Sequence, residues 1–393
     1  MSLPPPWAEL PSRGSEGNAG EPENLLIHGD NLPALEALAG PLGGRVRCVY
    51  IDPPYNTGAG VSHYDDGLAH EDWLAMMRAR LLALRPLLAS DGVILVSIDD
   101  AEVAYLRILL DEVMGRGNFL GTLVWERKRK PSFLDGHLAV VTEYVLAYAL
   151  DRSRAPAFVG GTTTAGKMHP LNNAGNPRSI LRFPAGSVAF GCPDGHYAPA
   201  DMSAGRIVTC LLDPVDVVGG RNRAAFRLDG EWRYSQARLD AVVAEGGELV
   251  IRRLPFRPNH VKPGGKPKKL TNLLSRAHGG VATYEDATAE SRALFGDRGA
   301  FDYPKPEGLM QVLIGAVTRP GDWVLDAFAG SGTTGAVAQK MGRRWVMIEE
   351  GEHCLTHLLP RMRQVVDGSD QGGISEALGW AGGGLGWRFY RGG

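Results

Sequence analysis

Residues 49–58 read "VYIDPPYNTG", an apolar run that stops at an acid, two prolines and an aromatic ring. Two consecutive prolines fix φ at both positions and push the residue before them into extended backbone, so the corner is stiff. Its residue types suit one task. The Asp52 carboxylate can accept a hydrogen bond from an amine, the Pro53 carbonyl can accept a second, Pro54 rigidifies the turn, and Tyr55 offers a flat face for stacking. Together they would grip a planar heterocycle that carries an exocyclic amino group. Asn56, Thr57 and Gly58 are expected to lead on into a mobile lid.

A second stretch, "WVLDAFAGSGTTGAVAQKM" (323–341), runs from a hydrophobic strand through Asp326, Phe328, Gly330, Gly332, Thr333 and Thr334 into an alanine-rich helix. Glycines at a strand-to-helix turn let the backbone approach a ligand closely, and the helix N-terminus adds a positive dipole end. No lysine precedes the threonines, so this is not a nucleotide-phosphate P-loop. The next strand ends in Glu349 and Glu350, where an acid takes the ribose hydroxyls of an adenosine-containing ligand. Tight loop packing alone is the competing explanation for the glycines.

Both stretches need a scaffold that brings strand ends together. "RVRCVYI" (45–51) reads as a short strand, and 71–92 places Trp73, Met76, Met77, Leu81, Leu84 and Leu88 at helical spacing before Gly92. "VILVSIDD" (93–100), a helix over 101–114, and the strands "GTLVW" and "TEYVLAYAL" follow. After about residue 300 the rhythm resumes with a helix (306–317), the glycine-loop strand (323–328) and "RRWVMIEE" (343–350). Strands alternating with helices predict an α/β fold with a mostly parallel sheet covered on both faces. "LGWRFYR" near the C-terminus reads as an edge strand.

Residues 151–300 break the rhythm with turn dipeptides and short aromatic runs, as expected of an inserted, loop-rich module. They hold 21 Lys/Arg against 14 Asp/Glu, a net of +7, while the remainder carries −9. A basic module on an acidic one suggests a polyanionic partner. "IRRLPFRPNHVKPGGKPKKLTNLLSR" (251–276) has no acid at all. Its Arg252, Arg253, Arg257, Lys262, Lys266, Lys268 and Lys269 are candidate phosphate contacts, as are Lys128 and Lys130 of "WERKRK". A merely solvated face is the alternative. The cysteines Cys48, Cys192, Cys210 and Cys354 lack C-x-x-C spacing and suit reduced thiols. Cys192, His196 and Cys210 have no nearby fourth ligand, so no metal is expected. Residues 1–23, rich in Pro, Gly and Glu, read as a flexible lead-in with neither signal peptide nor membrane span.

"DPPY" followed far downstream by "DAFAGSG" resembles the amino-methylating DNA methyltransferases, in the motif order of their β group. "NLLIHGDNLPALEAL", "DGVILVSIDDAEV", "FLGTLVWERK", "TEYVLAYA" and "FDYPKPEGLMQVLI" resemble the modification subunits of type III restriction systems and their stand-alone relatives. The resemblance implies a Rossmann-like S-adenosylmethionine-dependent methyltransferase sheet of circularly permuted motif order, with an inserted target-recognition domain. Residues 24–150 would form the catalytic part, 151–300 the recognition domain, 301–367 the cofactor-binding part and 368–393 a tail. Asp30 and Asn31 of "HGDN" and Lys305 of "YPKP" would then line the cofactor with Asp326, Phe328, Gly330, Gly332, Thr333, Thr334 and Glu349. The alternatives are a helix cap for Asp30, solvated surface for Lys305 and caps for the two threonines.

The implied reaction is methylation of the exocyclic N6 of adenine in double-stranded DNA after base flipping, because cytosine-N4 enzymes more often carry Ser in place of Asp52. Cytosine-N4 methylation is the alternative. RNA, a protein glutamine, and a role as a non-catalytic DNA-binding subunit are more distant readings. The resemblance further implies a homodimer, a possible restriction subunit as partner, no membrane association and a bacterial cytoplasmic location on the nucleoid.

Overall fold

Val46–Ile51 becomes a strand because β-branched and aromatic residues fit a pleated surface buried on both faces; Val46 and Cys48 to Ile51 are all buried. A computed structural model describes residues 3–4, 6–10, 24–57, 67–131, 137–297 and 299–392. The chain forms two compact units, one from residues 1–160 and 269–393 and one from 161–268.

The first unit carries a ten-stranded sheet. In chain order its strands are β1 (Ala8–Leu10), β2 (Asn24–His28), β3 (Val46–Ile51), β4 (Leu88–Ile98), β5 (Phe119–Glu126), β6 (Thr142–Ala149), β7 (Leu273–Leu274), β8 (Trp323–Asp326), β9 (Arg344–Glu349) and β10 (Trp387–Arg391). The sheet order is β1-β10-β2-β9-β8-β3-β4-β6-β5-β7. From β10 to β4 all neighbours run parallel. β6 is antiparallel to both β4 and β5. Helices α1 (Asn31–Leu42), α2 (His70–Leu84), α3 (Val103–Leu110), α4 (Tyr284–Phe295), α5 (Glu307–Val317), α6 (Thr333–Lys340) and α7 (Leu359–Asp367) complete it. One apolar core holds α1, α2 and α3 residues, and a second holds those of α5, α6 and α7, so both faces are covered. This is the mixed α/β, Rossmann-like sheet expected from the sequence, with the corner residues and the glycine loop at the carboxyl ends of the adjacent strands β3 and β8.

Several boundaries differ from the sequence reading. The α2 helix ends at Leu84 rather than at Gly92, because Pro86 cannot continue it. Gly92 lies within β4, where a β-carbon would come 2.8 Å from the Val46 carbonyl oxygen. The C-terminal strand is no edge: β10 sits between β1 and β2. The expected loose lead-in is packed where it is described, with Trp7 buried against Gly29 and Gly392 and Ala8–Leu10 paired to β10. Residues 11–23 of that lead-in lie outside the described residues, as does Gly58 of the expected lid.

The inserted unit is narrower than 151–300 and is strand-rich rather than loop-rich. It contains a seven-stranded and a four-stranded sheet around Phe183, Phe226, Phe256 and Trp232. Residues 269–300 return to the first unit, because Leu273–Leu274 add a parallel strand to Val124–Trp125 and α4 follows. His196 Nδ1 lies 2.7 Å from Asp216, and Cys210 Sγ lies 3.6 Å from Asp201. Among the described residues no helix is long and apolar enough to cross a membrane.

Candidate functional site

The corner after β3 is held from behind. Trp73 of α2 is fully buried and donates its indole N–H to the Pro54 carbonyl at 2.8 Å. Tyr50 and Ser97 share a hydrogen bond of 2.8 Å across β3 and β4. Asn56, the residue after Tyr55, takes a left-handed φ of 59°, which asparagine tolerates better than most residues. From sequence Trp73 reads only as an apolar helix position and Ser97 is not singled out, although a buried indole N–H usually finds a partner.

Asp52 opens onto a cavity of about 410 Å³ whose lining also includes Tyr55, Glu143, Lys305, Asp326 and Glu349. Asp52 Oδ1 accepts from the Tyr55 hydroxyl at 3.0 Å, and Oδ2 accepts from Lys305 Nζ at 2.8 Å. Lys305 donates further to the hydroxyls of Tyr55 and Tyr284, each at 3.0 Å. Behind them Glu143, buried on β6, accepts from Tyr55 at 3.0 Å, Tyr284 at 2.9 Å and Arg127 at 2.9 Å. Burial pushes the phenols of Tyr55 and Tyr284 well above their ordinary value. Burial alone would lower Lys305, but the Asp52 charge and the surrounding oxygens outweigh it and hold the ammonium protonated. Two cations thus face two carboxylates in a buried cluster.

Glu143, Tyr284 and Arg127 escaped the sequence reading. The signal for Glu143 was present: an acid inside an apolar strand cannot be buried without partners. Lys305, expected along the cofactor, lines the same cavity but directs its ammonium at the corner.

The glycine loop forms the facing wall. Gly330 and Gly332 have φ of 52° and 81°, and a β-carbon on Gly332 would approach Leu358 Cγ to 3.1 Å, so side chains are excluded there. Asp326 is buried and accepts from Phe328 N–H at 3.0 Å and Thr334 Oγ1 at 2.5 Å. Burial pushes its carboxyl up to about 7. Glu349 accepts from the amides of Gly330 (2.7 Å) and Gly351 (2.9 Å), and its Oε1 lies 3.0 Å from His353 Nε2. Burial pushes Glu349 up, but these contacts outweigh it and hold it below the usual carboxylate range. Thr333 accepts from Arg361 at 2.8 Å. Both threonine hydroxyls therefore brace the loop. Phe328 and Lys128 also reach the cavity.

Other candidates lie apart from it. Asp30 caps α1, accepting from Leu32 N–H at 2.9 Å, and Arg80 donates to it at 3.2 Å. Asn31 donates to the Ala327 carbonyl at 2.8 Å, bracing the loop from its outer side. Lys130 and Lys269 are exposed in the first unit. In the inserted unit Arg252, Arg253, Lys262, Lys266 and Lys268 are exposed. Arg257 is the exception: half-buried, it donates to its neighbour's carbonyl at Phe256 (3.0 Å).

The corner after β3 and the glycine loop after the neighbouring strand β8 thus line one cavity. Residues 46–358 match the model of the N6/N4 DNA methylase family, and the chain belongs to that family. It is 30% identical to the probable type III restriction-modification enzyme HindVI Mod subunit of Haemophilus influenzae, over 95% of this chain and 54% of that protein. It is 27% identical to the type II methyltransferase M.EcaI of Enterobacter cloacae, over 83% of this chain and 66% of that one. The chain spans about half the length of the type III relatives it matches first. Among solved structures it is similar to the PvuII DNA methyltransferase (cytosine-N4-specific), at 14% identity and a TM-score of 0.47 over 92% of this chain and 95% of that one. The M1.HpyAVI–SAM complex is also similar, at 14% identity and a TM-score of 0.44 over 86% and 98%.

Proposed function

We propose that this chain is a DNA methyltransferase that modifies the exocyclic N6 of adenine. The observation that carries the reading is the single cavity bordered by the Asp52 corner and by Asp326, Gly330 and Glu349. In this reading the target amine donates its hydrogens to Asp52 and to the Pro53 carbonyl. Acceptors at both hydrogens raise electron density on a nitrogen whose lone pair is otherwise delocalised into the ring. Fixed acceptors and positioning do most of the work. A base inside a duplex cannot reach such a corner, so the target is flipped out, and Tyr55 stacks on it.

The glycine loop, too tight for side chains, and the acid closing the next strand fit an adenosine-bearing methyl donor. S-Adenosylmethionine would supply there an activated methyl group on a positively charged sulfur. Glu349 already accepts three hydrogen bonds, which leaves a carboxylate of about four acceptor sites room for a ribose hydroxyl. The exposed cations of the inserted unit and Lys128, Lys130 and Lys269 would meet the phosphate backbone. Arg257, turned inward, is left out of that set. A homodimer and a separate restriction subunit belong to the same reading, and sedimentation with and without duplex tests the first.

The test is direct. The purified chain is incubated with unmethylated genomic DNA and S-adenosylmethionine, the DNA is digested to nucleosides, and the product is identified by mass spectrometry. N6-methyladenine is expected; N4-methylcytosine would reassign the base and keep the site. Asp52→Ala, which removes the acceptor oxygens, should abolish the product while cofactor binding, followed by calorimetry, persists. Product formation by that variant would refute the role given to Asp52.

A further inference from the structure

Lys305 has three ammonium hydrogens, and three oxygens of the protein stand at hydrogen-bond distance from them: Asp52 Oδ2, the Tyr55 hydroxyl and the Tyr284 hydroxyl. A lysine so used has no donor left for a cofactor. Its Nζ also lies 3.6 Å from Glu143 Oε2, and the rings of Tyr55, Tyr284 and Trp125 surround it at 5.0, 5.4 and 5.9 Å. Tyr55 has the opposite arithmetic. Its one hydroxyl hydrogen faces two acceptors, Asp52 Oδ1 and Glu143 Oε2, each at 3.0 Å. Rotation of that O–H bond moves the hydrogen bond from one carboxylate to the other without moving a heavy atom.

We infer that Lys305 is a positioning residue for Asp52, and that Glu143 is its buried counter-charge and the alternative acceptor for Tyr55. In this arrangement Lys305 holds Asp52 by Oδ2, and the Tyr55 hydroxyl turns to Glu143 to leave Oδ1 for the target amine. Neither Lys305 nor Glu143 contacts the methyl donor. The inference rests on the proposed amine-accepting role of Asp52 and adds the residues that make it possible.

The groups that face Asp52, directly or through Lys305, come from several elements. Tyr50 stands on β3 and Tyr55 at the corner, Lys305 precedes α5, and Asp326 ends β8. Glu143 on β6 stands behind Lys305 with Tyr284 and Arg127. The three phenols are pushed up by burial and stay protonated through neutrality. Asp326 is itself coupled to Asp52, so each variant is also compared in an Asp326→Asn background, where differences at Lys305 and Glu143 isolate their effect on Asp52.

Removing the ammonium takes the donor from Asp52 Oδ2 and leaves Arg127 as the cation of the cluster, held on Glu143, so Asp52 takes up a proton more readily. Removing the Glu143 charge does the opposite, because Lys305 then serves Asp52 alone. The experiment compares wild type, Lys305→Met, Lys305→Arg and Glu143→Gln. The Asp52 carboxylate is titrated by ¹³C NMR, with its signal assigned from the loss in Asp52→Asn. Single-turnover methyl transfer is followed against pH, and S-adenosylhomocysteine binding by calorimetry. Lys305→Met should move the Asp52 midpoint and the acid limb of the rate together to higher pH than in wild type, because an opposite charge beside the carboxylate is lost. Glu143→Gln should move both downwards and lower the plateau rate, since Tyr55 then stays on Oδ1. Lys305→Arg should keep the wild-type midpoint, and S-adenosylhomocysteine affinity should be unchanged throughout.

Midpoints that stay fixed while S-adenosylhomocysteine affinity falls would make Lys305 a cofactor contact and overturn the inference. If Lys305→Met does not fold, Glu143→Gln and Lys305→Arg still decide, because only positioning predicts a downward shift in one and none in the other. If the midpoints move in opposite directions but wild type methylates no DNA, the proposed function fails while the Lys305–Asp52 relation stands. Methylation by wild type with fixed midpoints has the reverse meaning.

Discussion

Asp326 gives a prediction whose sign and size follow from its surroundings. It is buried at the end of β8, and burial, with added repulsion from Asp52 and Glu349, pushes its carboxyl from 3.8 to about 7 despite hydrogen bonds from Thr334 and the Phe328 amide. The folded state therefore holds this proton more tightly than the unfolded chain does. The stability it contributes is fully present below about pH 4 and is lost as pH rises through 7. A shift of roughly three units corresponds to about 4 kcal/mol at most. Asp326→Asn keeps the shape and one acceptor oxygen but has no proton to lose. After allowance for one weakened hydrogen bond, the variant should exceed wild type by about 1–3 kcal/mol at pH 8, with the gap closing towards pH 4. Urea unfolding followed by tryptophan fluorescence measures this, because seven of the eight tryptophans lie in the unit that contains Asp326. A gap that is constant with pH, or that favours wild type increasingly as pH rises, would refute the reasoning. The same variant should bind S-adenosylmethionine more weakly, since a buried acid retained at a stability cost is what a ligand site requires.

Three further outcomes follow from the contacts. Trp73→Phe removes the donor to the Pro54 carbonyl and should cost about 1–3 kcal/mol in denaturation, while slowing methyl transfer more than it weakens cofactor binding. Arg361→Met removes one of two cations from Glu307, which keeps Lys340, and frees Thr333, which should destabilise the chain by about 1–3 kcal/mol in the same urea experiment. Changing Lys266, Lys268 and Lys269 together to Gln should flatten the logarithmic salt dependence of duplex binding by about two to three units; an unchanged slope would return these lysines to solvated surface.

What could be read from sequence was what local rules control. Apolar runs ended by acids marked strands β3, β4, β8 and β9, because a parallel strand buried on both faces must be continuously apolar. Pro-Pro and Gly-x-Gly each admit few backbone conformations, so the corner and the loop were legible as rigid features. The Asp30 cap followed from the same local chemistry. What escaped depends on strand order. Glu143 meets Tyr55 only because β6 inserts between β4 and β5, and Tyr284 joins them only because Trp125 donates to the Ala282 carbonyl at 2.9 Å and holds the start of α4 there. The turn-rich look of 269–300 hid its return to the sheet, since a two-residue strand such as Leu273–Leu274 has too few residues to show any period.

The lesson of the buried charges goes further than the corner. Glu307 at the start of α5 accepts from Lys340 of α6 at 2.9 Å, from Arg361 of α7 at 2.9 Å and from the Ile374 amide at 3.0 Å. Arg361 then passes the constraint to Thr333 at the mouth of the glycine loop. Glu349 fixes the other side of that loop through the Gly330 amide. The loop is thus clamped by two charged systems, and the corner by a third built on Glu143. Apolar packing of the same volume would be no less stable than such buried pairs, but it would not fix the direction of a backbone amide or of a carboxylate oxygen. Presenting acceptors at set angles, the role proposed for the corner, needs direction more than it needs stability. The buried ions hold the corner and the loop that line the cavity, while the apolar cores around them carry the fold.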